Sequence, residues 1–129
     1  RIEKVKFKNK FIIFDGSHNL SGADKLNKYL KENNIKPNVI FGMLKNKKAF
    51  EFLSILRKNI DALYPIKIPD EKNAFTQKEI YNISKKLNLN TIIKKNLNNI
   101  NQLLMNNPNK YILITGSLYL IGKIRNKYL

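Results

Sequence analysis

The chain has 129 residues, 43% of them hydrophobic and 10% aromatic, which is enough to bury one core and places it outside the disordered class. No stretch approaches the roughly 18 uncharged apolar residues of a membrane span. The absence of cysteine excludes disulfides, thiolate catalysis and zinc–sulfur sites, so a reducing cytoplasm is the expected setting.

The formal net charge of +16 brings nucleic-acid binding to mind first. Lysine carries nearly all of it, and the only arginines are Arg1, Arg57 and Arg125. The lysines are spread along the chain and accompanied by asparagine and isoleucine, the pattern that AT-rich codons produce. Arginine, whose fork best reads bases and phosphates, is scarce, which disfavours specific nucleic-acid binding.

The opening residues, RIEKVKFKNK, are charged and lead into no signal-peptide core. Because the sequence begins at Arg1, it reads as a segment of a longer chain. Phe11-Ile12-Ile13-Phe14 is the first apolar run, ended by the turn residues Asp15-Gly16. Ala23, Leu26, Tyr29 and Leu30 then follow helical spacing, with Asn19 or Ser21 as the cap. Val39-Ile40-Phe41 is a second apolar run, ended by Gly42, and Phe50, Leu53 and Leu56 or Arg57 mark a second helix. Residues 63–68 form a third run, with Pro65 inside it, which predicts a short, interrupted or edge strand. Thr76-Gln77-Lys78-Glu79 is a capping box opening a helix through Ile80, Ile83, Ser84 and Leu87. Thr91-Ile92-Ile93 is read as a fourth strand. Ile100, Leu103 and Leu104 mark a helix stopped by Asn106-Asn107-Pro108-Asn109. Tyr111-Ile112-Leu113-Ile114-Thr115 is a fifth strand ended by Gly116, and a last helix runs over residues 119–127.

Alternation of apolar runs with amphipathic segments predicts an α/β fold: a Rossmann-like, open, mostly parallel sheet of about five to six strands with helices on both faces. No internal repeat or linker divides the chain, so residues 1–129 are expected to form one domain.

In such sheets ligands bind where strands end and turn into helices. Three turns here carry glycine and polar side chains: Asp15-Gly16-Ser17-His18-Asn19, Gly42-Met43-Leu44-Lys45-Asn46-Lys47 and Gly116-Ser117. All three are expected on the carboxyl edge of the sheet. Asp15 can accept from ribose hydroxyls or orient the only histidine, His18, which can donate to a phosphate or carboxylate; both can equally cap the following helix. Lys47 and its neighbours can neutralise an anion, or form a solvated loop. Ser117 can hold an anion at a helix start, or merely cap it. Neither a Walker-type phosphate loop nor a G-x-G-x-x-G dinucleotide fingerprint is present, so any nucleotide site here is partial.

These motifs resemble one family along the whole chain and in the same order. Asp15-Gly16-Ser17-His18-Asn19 is similar to the D-G-A-H-N motif of folylpolyglutamate synthases, and Gly42-Met43-Leu44 with Lys47 to their G-M-L-x-x-K-D. Pro69-Asp70-Glu71 resembles the segment after the third strand, and Tyr111 to Gly122, YILITGSLYLIG, resembles V-L-V-x-G-S-L-Y-L-x-G. Arg1 stands where the family has an arginine before its first motif. One departure is Lys48, at a position where the family has an acid.

The resemblance implies the C-terminal domain of an ATP-dependent ligase of the Mur superfamily, a folylpolyglutamate synthase or a bifunctional dihydrofolate synthase. ATP converts a folate carboxylate to an acyl phosphate, and the amine of L-glutamate displaces the phosphate. A central ATPase domain, absent here, would carry the phosphate loop and Mg2+, so this segment alone would be inactive. By the same resemblance, Arg1 and Asp15 belong to the nucleotide, while His18, Lys47 and Ser117 lie by the glutamate and the transferred phosphate; no metal ligand is assigned. The competing expectations are a peptidoglycan-type Mur ligase, which tends to carry D-Y-A-H-x-P, and a stand-alone basic module that binds an anion or nucleic acid.

Overall fold

A computed structural model describes residues 2–94, 102, 104 and 107–128. Among them the strands form one five-stranded sheet in the order β1-β2-β5-β3-β4. The strands are β1 (Ile2–Phe7), β2 (Lys10–Asp15), β3 (Asn38–Phe41), β4 (Leu63–Pro65) and β5 (Tyr111–Thr115). All neighbours run parallel except β1, which pairs antiparallel with β2. The helices are α1 (Leu20–Glu32), α2 (Ala49–Leu56), α3 (Gln77–Lys86) and α4 (Leu118–Tyr128), with a 3-10 turn at Arg57–Asn59.

The continuous apolar runs serve both faces, because successive side chains alternate sides. Ile13, Val39, Phe41, Leu63 and Leu113 pack against Ala23, Leu26 and Leu30 of α1, Phe52, Leu53 and Leu56 of α2, and Ile80 of α3. On the opposite face Ile12, Phe14, Ile40, Ile112 and Ile114 meet Leu104 and Leu120 and Ile124 of α4. Helices on both faces, a mostly parallel sheet and the capping box at Thr76 all agree with expectation. In that box Thr76 Oγ1 accepts from the Glu79 N–H at 3.1 Å and Glu79 Oε1 accepts from the Thr76 N–H at 2.9 Å.

Three elements differ. Residues 2–7 form an edge strand, not a charged lead-in: Ile2, Val5 and Phe7 are half-buried while Glu3, Lys4 and Lys6 face solvent. Charged side chains along an edge strand help it resist pairing with another molecule. In α2 the buried face is Ala49, Phe52, Leu53 and Leu56, leaving Phe50 exposed.

Thr91-Ile92-Ile93 is not a strand; only Thr91 bridges to Leu63. Leu63 N–H donates to Asn90 O and Ile92 N–H donates to Leu63 O, both at 2.8 Å. The next donor on that side of β4 would be residue 65, a proline, which has no N–H. Pro65 O accepts from Gln77 Nε2 at 3.0 Å, so the ladder stops after one bridge. Of the helix expected through Ile100, Leu103 and Leu104, the first two fall outside the described residues, while Leu104 is helical and buried.

At the amino edge of the sheet a polar cluster ties the residues before β5 to β2, β3 and the residue that leads into β4. Lys10 Nζ donates to Asn107 O, Asn38 Nδ2 donates to Asn107 Oδ1, and Asn38 Oδ1 accepts from Ala62 N–H at 2.9 Å. Asn107 Oδ1 also accepts from Asn109 N–H at 2.9 Å. Burial raises the Tyr64 hydroxyl pKa above its ordinary value, partly offset by its hydrogen bond to Asn107.

Candidate functional site at the carboxyl edge

Because β2, β3 and β5 are parallel neighbours, the turns after Asp15, Phe41 and Thr115 emerge on one edge. Asp15 and Phe41 each pair with Thr115 in the register of the sheet. Strands lie about 4.8 Å apart, so the three turns are within side-chain reach of one another.

The first turn is held from below. Asp15 is 1% exposed, and its Oδ1 accepts from the backbone N–H of Ser17 at 3.2 Å and the Ser17 hydroxyl at 2.9 Å. The cap of α1 is Asn19, whose Oδ1 accepts from Gly22 N–H at 2.8 Å. Neither Asp15 nor His18 caps the helix, so that alternative is set aside for both. His18 has no hydrogen-bond partner among the described residues and lies at the cavity described below.

Ser117 does cap. Its Oγ accepts from Tyr119 N–H at 3.1 Å and its carbonyl from Ile121 N–H at 3.2 Å, opening α4. The hydroxyl keeps one proton to donate, and Ser117, though only 4% exposed, also lines the cavity.

The loop after β3 is braced by the chain leading to α3. Leu44 bridges to Ala74, Lys45 N–H donates to Asn73 O at 2.6 Å, and Phe75 N–H donates to Met43 O at 2.9 Å. Lys45 Nζ lies 3.5 Å from Glu79 Oε1. The Thr76 backbone N–H, donating to Glu79, holds that carboxyl below the ordinary range, and Lys45 adds to the effect. Lys47 is half-buried and has no acidic partner among the described residues, while Lys48 is exposed. The acid missing at Lys48 is not replaced beside Lys47; the loop is anchored through its backbone and through Lys45.

Together these turns enclose an open cavity of about 430 Å³ that brings together His18, Asn46, Lys47 and Ser117, with Leu44, Leu118 and Tyr119 as its apolar part. Asp15 does not reach this cavity, and Arg1 lies outside the described residues. Leu118 and Tyr119 are 67% and 58% exposed; Asn46 and these two were missed as site residues, although they sit inside the same motifs. Leu118 also borders a second hollow of about 500 Å³ lined by Ile2, Phe14, Gly16 and Arg125. There Arg125 lies 4.8 Å from the Phe14 ring centroid and pairs with Glu3. Among the described residues no group of three or more His, Cys, Asp or Glu could hold a metal, and no helix is long and apolar enough to cross a membrane.

Residues 1–127 match the family model described as dihydrofolate synthetase, C-terminal domain. The chain belongs to that family. Solved structures give the same fold. Folylpolyglutamate synthase from Thermotoga maritima is 23% identical with a TM-score of 0.82, covering 98% of this chain and 29% of that one. E. coli FolC in complex with DHPP and ADP is 18% identical with a TM-score of 0.81, covering 95% of this chain and 29% of that one. The Mycobacterium tuberculosis folylpolyglutamate synthase complexed with ADP and AMPPCP is 17% identical, with a TM-score of 0.78, 96% of this chain and 30% of that one. The chain thus spans about three tenths of the length of these structures. No curated protein matches it by sequence.

Proposed function

We propose that this chain is the C-terminal domain of an ATP-dependent folylpolyglutamate or dihydrofolate synthase, and that it presents L-glutamate to an acyl phosphate formed on a neighbouring ATPase domain. The observation that carries this reading is the convergence of His18, Lys47 and Ser117 on one open cavity at the carboxyl edge, in a chain without a phosphate loop. A carboxylate ligand needs donors and a cation in a partly enclosed site, and these residues supply both.

In this reading the glutamate carboxylate is held by Lys47 and the remaining Ser117 proton. His18 donates to the incoming glutamate, beside the transferred phosphate. The amine nitrogen forms the amide bond as the carbon–oxygen bond to phosphate breaks; phosphate leaves and the amine loses a proton. Asp15 faces the ATP ribose, which requires closure to uncover a carboxylate now 1% exposed, and Arg1 reaches the nucleotide. Mg2+ belongs with the phosphates on the ATPase domain, in a cytoplasmic enzyme. A mutual fit between Leu118, Tyr119 and that domain would cover their exposed apolar surface.

The test is incubation of the parent enzyme with ATP, Mg2+, L-glutamate and a dihydropteroate or tetrahydrofolate acceptor, each offered separately. Mass spectrometry should show the acceptor extended by one glutamate. If neither folate acceptor is extended while a nucleotide-linked peptidoglycan precursor, offered in a parallel reaction, is, the peptidoglycan-type alternative takes its place.

A further inference from the structure

Thr115 is the last residue of β5 and is fully buried at 0% exposure, yet its Oγ1 has no hydrogen-bond partner among the described residues. Packing does not call for that hydroxyl. Valine has nearly the same shape, suits a strand at least as well, and avoids the cost of a buried orphan donor. On one side Thr115 is paired with Phe41, whose ring accepts no ordinary hydrogen bond and packs toward Phe52, with centroids 5.8 Å apart. On the other it is paired with Asp15, whose side chain shares its face of the sheet. The polar group beside the orphan hydroxyl is therefore the carboxylate that anchors the Ser17–His18 turn.

We propose that Thr115 is a positioning residue: in the ligand-bound state its hydroxyl donates to the Asp15 carboxylate and fixes it for its contact with the nucleotide. In the unliganded form Asp15 Oδ1 is engaged by Ser17. When closure turns the carboxylate toward the ribose, the Thr115 hydroxyl gains the partner it lacks. The cost of the orphan is then borne by the open form, and its relief favours the closed one. The proposal rests on the nucleotide role of Asp15 given above.

The experiment uses the full-length parent enzyme and the variants Thr115→Val, Thr115→Ser, Asp15→Asn and Thr115→Val/Asp15→Asn. Melting temperature and the apparent KM values for ATP and glutamate are measured for each. Thr115→Val is expected to hold or raise the melting temperature while raising the ATP KM roughly tenfold, the scale of losing a hydrogen bond to a charged group. Thr115→Ser should restore the ATP KM, and Thr115→Val should add nothing in the Asp15→Asn background. Unchanged ATP kinetics in Thr115→Val, or an equal loss with and without Asp15, would overturn the proposal. A normal ATP KM in Asp15→Asn alone would instead remove the nucleotide role of Asp15, a separate result.

Discussion

A Cβ built on Gly116 would lie 2.1 Å from the carbonyl oxygen of Gly42, and Gly116 has φ +110°. The turns ending β5 and β3 therefore meet backbone against backbone, and Gly42 N–H also reaches Thr115 O at 3.4 Å. That contact lets Ser117 and Lys47 line one cavity. Any side chain at Gly116 meets both a forbidden backbone region and an immovable carbonyl. Gly116→Ala should destabilise the chain by about 2–4 kcal/mol, measured by urea denaturation monitored by circular dichroism. A loss under about 0.5 kcal/mol, the range of an ordinary surface substitution, would mean that the turns do not meet this way.

Ser117 has two roles that substitution can separate. As the cap of α4, its loss to alanine should cost about 1 kcal/mol of stability. As a glutamate donor, the same change should raise the apparent glutamate KM of the parent enzyme. Ser117→Asp retains a capping oxygen but puts a negative charge beside the carboxylate. It should recover the stability and worsen the kinetics, which thermal melts and initial rates on the same preparations will check.

Glu79 makes the stability of α3 dependent on pH. Its folded pKa is lowered from an ordinary 4.5, first by the Thr76 backbone hydrogen bond. A depressed carboxylate contributes stability above its unfolded pKa and loses that contribution as pH falls through the folded value. Wild type should thus be more stable than Glu79→Gln at pH 7, with the difference closing below about pH 4.5. Urea midpoints of both proteins between pH 7 and pH 3 are the measurement; a difference that widens on acidification would reverse the assignment.

The polar cluster at the opposite edge is structural. Asn38 Nδ2 donates to Asn107 and Asn38 Oδ1 accepts from Ala62 N–H, so Asn38→Ala leaves buried groups without partners. It should cost about 1–3 kcal/mol while leaving the glutamate KM of the parent enzyme unchanged, because the cluster lies at the far ends of the strands. Urea denaturation and steady-state rates check the two halves of this expectation.

Much of the fold was legible because apolar runs and turn glycines are local signals. Phe11-Ile12-Ile13-Phe14 before Asp15-Gly16 and Tyr111 to Thr115 before Gly116 could be placed without tertiary information. What was not legible depended on partners. The lysines of residues 2–7 look like solvated charge until Ile2, Val5 and Phe7 find β2 beside them. Thr91-Ile92-Ile93 has strand composition, but a proline on the neighbouring strand ends its ladder. At the site, the shared carboxyl edge followed from the topology that alternation implies. The choice between capping and exposure did not: His18, Asn19 and Ser117 are all plausible caps by position, and only coordinates separate Asn19 and Ser117 from His18.

The most direct test of the account is the apparent KM for L-glutamate of the parent enzyme carrying His18→Ala, followed as ADP release in the presence of a folate acceptor. His18 has no hydrogen-bond partner among the described residues and lines the cavity, so the variant should melt within about 1–2 °C of wild type. The account predicts that release of ADP requires both acceptor and glutamate, and that glutamate use falls at least roughly tenfold in the variant, as for loss of a charge-assisted contact. Unchanged glutamate kinetics, or ADP release indifferent to glutamate in wild type, would contradict it.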